Sequence, residues 1–108
     1  MSVKEGCFLI GIALLRISMA ADLAAWASAK KRPDEAKGFL QHASMDISQA
    51  LAGGFLTEDD AEKMRESIES HEKAIARGDT EESQDRLADL SVRAHDIAFQ
   101  KVVDCECK

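Results

Sequence analysis

Cys7-Phe8-Leu9-Ile10-Gly11-Ile12-Ala13-Leu14-Leu15 (CFLIGIALL) is an almost unbroken apolar run, and Ile17, Met19, Leu23 and Trp26 extend it at helical spacing. Phe8, Ile12, Leu15, Met19, Leu23 and Trp26 recur three or four residues apart, the pattern of one helix face. Ile10, Leu14 and Ile17 add a second stripe. A helix apolar over more than half its circumference is central in a bundle or shared between subunits. Such a surface has to be covered by a bundle core, a second copy of the protein, a membrane or a secretion apparatus.

Lys30-Lys31-Arg32 suits the negative pole of that first helix, and Pro33 fits the first turn of the next, with Asp34 and Glu35 beside its positive pole. The second helix presents Ala36, Phe39, Leu40, Ala43, Ile47, Ala50 and Leu51 on one face and ends at Gly53-Gly54, since glycine accepts a left-handed cap. Thr57 followed by Glu58, Asp59 and Asp60 reads as an N-cap with acids in the first turn, and Leu56 is placed to staple against Ala61. The buried face of this third helix is expected at Ala61, Met64, Ile68, His71 and Ile75, with Arg77-Gly78 closing it. Asp79 or Thr80 caps a fourth helix with Leu87, Leu90, Ala94 and Ile97 as its main stripe and Val92, Phe99 and Val103 as a second. The spacing therefore predicts a single domain over 1–108, with helices at about 3–30, 33–52, 58–77 and 80–103 and only the last few residues loose. Helices of about 25 to 40 Å joined by short turns make an all-α, antiparallel four-helix up-and-down bundle.

Composition narrows the function. One proline, six glycines and no tyrosine in 108 residues argue against an all-β fold. A formal charge of −6, from 20 acidic and 14 basic residues, disfavours a nucleic-acid partner, whose phosphates demand a basic surface. Three cysteines, an odd number, do not make a disulfide framework and fit a reducing cytoplasm. Residues 1–20 also carry signal-peptide features, Lys4 before the apolar run and Ser18-Met19-Ala20 as a small-residue site, so secretion is the alternative location. Arg16 and Asp22 interrupt the run and argue against a transmembrane span.

Candidate chemistry is sparse. Cys105-Glu106-Cys107 places two thiols one residue apart, able to chelate zinc or copper if Cys7, a histidine or a second subunit completes the site. His42, His71 and His95 fall on three helices, but the Glu-x-x-His pairs of di-iron bundles are missing, Phe39, Ile68 and Val92 standing three residues before them. The acids Glu58, Asp59, Glu62, Glu66, Glu69 and Glu72, then Glu81, Glu82, Asp85 and Asp89, suit solvated helix faces. In size and acid content the chain also resembles MazG-type pyrophosphohydrolases, Asp85-Arg86-Leu87-Ala88-Asp89-Leu90 being similar to their second acidic motif, which implies a magnesium-dependent nucleotide site. No G-x-G-x-x-G, P-loop or G-x-S-x-G motif occurs.

Residues 39–103 resemble the C-terminal helical lid of DnaK-type heat-shock chaperones. The likeness rests on Leu56-Thr57-Glu58-Asp59-Asp60, on the helix closing at Ala74-Ile75-Ala76-Arg77-Gly78-Asp79, and on the restart at Thr80-Glu81-Glu82 leading to Leu87 and Leu90. It implies a packing scheme for the last three helices, without the ATPase domain or peptide-binding sandwich of such chaperones.

The resulting expectation is a non-enzymatic interaction or adaptor protein with no resident cofactor. It homodimerises through Phe8, Ile12, Leu15, Met19, Leu23 and Trp26, or presents them to a protein partner. Burying three or four of those side chains contributes on the order of 5 to 10 kcal/mol before entropy costs. A metal-binding or metal-sensing bundle using Cys105, Cys107 and Cys7 is the alternative.

Overall fold

The computed structural model describes residues 3–106, and side chains from Gly6 to Cys105. Four helices follow one another: α1 (Val3–Ala29), α2 (Pro33–Ala52), α3 (Glu58–Ala76) and α4 (Thr80–Glu106). No strand occurs among the described residues. Each helix packs on its neighbours in sequence and α4 closes back onto α1, while the backbones of the diagonal pairs bring no Cα atoms within 8 Å of each other. The ring is 47 × 24 × 19 Å, close to the length of its longest helices. This is the four-helix bundle that the spacing predicts. The fourth helix runs three residues further than expected and takes Cys105 into its last turn.

Local chemistry explains the boundaries. Thr57 Oγ1 accepts the backbone N–H of Asp60 at 3.1 Å, and Asp79 Oδ1 accepts that of Glu82 at 3.0 Å, so α3 and α4 each begin on a side-chain cap. Gly54 and Gly78 adopt φ of 79° and 76°, the left-handed conformation that lets the chain turn out of α2 and α3. Lys31 does the same after α1 with φ 58°, although its Cβ makes that region costly.

The core is built from Leu14, Ile17, Leu40, Ile47, Met64, Ile68, Leu87 and Leu90, filled in by alanines from α1, α2, α3 and α4. Most expected core positions are buried. Ile75 is a correction: at the end of α3 it stands exposed, at the rim of the cleft it shares with α2. Val92, Phe99 and Val103, the second stripe of α4, are exposed as well. By length and composition Gly6–Ala29 is apolar enough to cross a membrane, so Arg16 and Asp22 do not disqualify it as expected; core helices and signal sequences share that property.

Candidate functional site: the outer face of α1

The first helix inverts the usual sorting by size. It buries Cys7, Ser18, Ala20, Ala21, Ala24 and Ala27 with only Leu14 and Ile17 among large side chains, and exposes Phe8, Leu9, Ile12, Leu15, Met19, Leu23 and Trp26. The reason lies in its seam with α4. Gly11 meets Val102 so closely that a Cβ on the glycine would stand 2.6 Å from Val102 Cγ2. Ser18 Oγ and Ser91 Oγ lie 2.9 Å apart, and Gln84 Nε2 donates to the Ala25 carbonyl at 3.0 Å. Positions 7, 11, 18 and 25 thus form one antiparallel seam against 105, 102, 91 and 84. Helices this close admit small side chains between them, so the large ones turn outward.

All six residues of the first stripe therefore lie on the solvent side of α1, with exposures from 37% at Leu15 to 65% at Phe8. Phe8, Ile12 and Leu15 share a shallow groove of about 230 Å³ with His95, Ala98, Phe99 and Val102 of α4. At the other end of the stripe the Arg32 guanidinium sits 5.5 Å from the centre of the Trp26 ring, a cation–π contact.

Cys7 and Cys105 form a disulfide, their Cα atoms 5.7 Å apart, across 98 positions of sequence. This corrects the reading of the cysteines as unpaired. Nothing in the sequence marked the pairing, because it depends on the first turns of α1 meeting the last turn of α4. Cys107 lies outside the described residues. While the disulfide is formed neither Cys7 nor Cys105 can ligate a metal, since binding requires thiolates.

A second cavity, of about 680 Å³, opens where α2 and α3 part near the end of α1. Leu40, Ala36 and Ile75 give it an apolar part, and Lys31, Lys37, Asp34 and Glu72 line it with both signs of charge. His71, only 3% exposed, reaches it from α3. Its Nδ1 lies 2.8 Å from Ser83 Oγ and 3.3 Å from the Ser83 carbonyl oxygen, so one ring nitrogen is already engaged. Burial pushes the His71 pKa below 6.5, opposed by the bond to the Ser83 backbone and by the charge of Glu72.

The remaining expected ligands are not gathered into a site. His42 is exposed on α2 and His95 lies in the α1–α4 groove, away from the cavity that His71 lines. Several acids pair along their own helices, Lys63 with Asp59 at 3.0 Å and Lys73 with Glu69 at 3.3 Å. Among the described residues no group of three or more His, Cys, Asp or Glu side chains is arranged to hold a metal ion. Compared with known protein families, curated proteins and solved structures, the chain shows no match.

Proposed function

We propose that this chain is a non-enzymatic assembly module that self-associates through the outer face of α1. The observation that carries the reading is the exposure of all six stripe residues beside a core that is complete without them. Taking roughly 200 Å² for each large apolar side chain, the six together with Phe99 leave about 700 Å² open, near the ~800 Å² that each partner contributes to a standard interface. The stripe is also self-complementary. Two copies related by a two-fold axis near Ile17 set Phe8 against Trp26, Ile12 against Leu23 and Leu15 against Met19, the arrangement that an isologous dimer requires.

Native mass spectrometry of the wild type and of Ile12→Asp and Leu15→Asp tests this. A wild-type dimer, reduced to monomer in both variants with helical content retained, is the expected result. A wild type that stays monomeric at tens of micromolar overturns it, and so does a monomer that is recovered on lipid vesicles.

A second reading, a metal centre, draws on the 5.7 Å between the Cys7 and Cys105 Cα atoms, which in the reduced protein keeps two thiols together with Cys107 two residues on. Zinc or copper retained by reduced wild type and lost in Cys105→Ser/Cys107→Ser supports it; reduced protein without metal removes it. Location follows the redox state. The disulfide form suits an oxidising compartment and the dithiol form a reducing cytoplasm.

A further inference from the structure

The cleft between α2 and α3 lies at the opposite end of the bundle from the disulfide, where α1 ends and α2 begins. One buried polar atom opens into it. His71 Nδ1 faces Ser83, whose carbonyl oxygen can only accept, so Nδ1 carries the ring proton and Nε2 keeps a lone pair. Among the described residues Nε2 meets no donor, and it is not sealed off from solvent. Since His71 is only 3% exposed, its lone pair is reached from the cleft that the ring lines. Burial keeps the ring neutral at pH 7 and the lone pair available.

The rim carries both signs of charge. Lys31, Asp34 and Lys37 stand on the α2 side, and Glu72 stands on α3 beside His71. None of the four takes part in an ion pair among the described residues, although Arg32 pairs with Glu35 and Lys73 with Glu69 close by. Between them Ala36, Leu40 and Ile75 form an apolar wall. Ligand sites have this make-up, an apolar lining with a few convergent polar groups. A cavity of 680 Å³ is about 11 Å across if round, and an extended chain covers about 3.3 to 3.6 Å per residue, so two or three residues fill it.

We propose that this cleft binds a small zwitterion with an apolar body, the chemistry of an unblocked apolar di- or tripeptide. The ligand's ammonium donates to His71 Nε2 and faces the Glu72 carboxylate, its carboxylate faces Lys31 and Lys37, and its apolar side chains lie on Leu40 and Ile75. A ligand of one sign would satisfy half of the rim and be repelled by the other half. An acceptor alone would leave Nε2 without a proton to accept.

The site is separate from the outer face of α1, and its readout does not depend on subunit number. Full-length protein labelled with 15N is titrated at pH 7.5 with leucyl-leucine, N-acetyl-leucyl-leucine and leucyl-leucine amide, and followed by amide and imidazole NMR. Leucyl-leucine should saturably shift amide signals within 28–40 and 71–75 and the signal of His71 Nε2, which starts unprotonated. Each blocked form should bind at least about tenfold more weakly, the scale of one lost charged hydrogen bond. Glu72→Gln should weaken the free dipeptide and leave the acetylated form unaffected, and Lys37→Gln should do the same with the amide as the unaffected form. Both side chains are exposed, so the fold is kept. Equal affinity for the three forms, no saturable shift up to about 10 mM, shifts confined to the α1–α4 groove, or a proton already on His71 Nε2 overturns the proposal.

Discussion

His71 and Ser83 meet in the interior at the edge of the larger cavity, and that contact makes stability depend on pH. Unfolded, the imidazole titrates near 6.5; folded, burial holds its pKa lower. As the pH falls through 6.5 the unfolded chain takes up a proton that the folded protein refuses, so stability drops until the lower folded pKa is reached. Above about pH 7 the contribution is full and flat. Urea unfolding at pH 7.5 and 5.5 should therefore show a larger loss for wild type than for His71→Gln, and equal losses would assign the acid sensitivity to other groups. At this scale the sequence was readable where chemistry is local: Thr57 and Asp79 cap as their neighbours suggest, and His71 sits on the inward face that its spacing gives. Lys31 was not readable. Its left-handed backbone is imposed by the turn between α1 and α2, and a lysine gives no sign of it.

Between elements, the closeness of α1 and α4 is what can be tested. Gly11→Ala puts a methyl group 2.6 Å from the branched Val102 side chain, which has little freedom to withdraw. The variant should lose about 1 to 3 kcal/mol, the usual cost of overpacking, despite the better helix propensity of alanine. Gly38→Ala, in the middle of α2 with nothing within 4 Å of the new atom, is the control. It should gain about 0.5 to 1 kcal/mol from propensity alone. Denaturant melts of the two variants measure both signs, and a stabilised Gly11→Ala would mean that the helices are further apart. The same seam explains why helix ends were legible while the inward face of α1 was not. Pro33, Gly54 and Gly78 mark ends by backbone chemistry, whereas α1 is apolar over more than half its circumference and hydropathy cannot rank its apolar stripes. Side-chain size decides, because Gly11, Ser18 and Ala25 fit against α4 where Phe8 and Met19 cannot.

For the molecule as a whole, the Cys7–Cys105 bond closes nearly the entire chain into one loop. Closing a loop of about 100 residues restricts the unfolded state strongly, and breaking such a bond typically costs about 2 to 4 kcal/mol. Reduction should lower Tm by roughly 8 °C or more, at about 4–8 °C per kcal/mol for a domain near this size; thermal melts with and without a reductant check it. A Tm indifferent to reduction would show that the bond adds nothing to the fold. The pairing was illegible in the sequence because it joins opposite ends of the chain, which only the closure of α4 onto α1 brings together. That closure also governs how the protein answers force. Pulled by its two ends, the oxidised chain transmits the load through a single covalent link, and the helices between carry none of it. Only after that link is cut does tension reach the bundle, so reduction converts an inextensible tether into one that can stretch by unfolding.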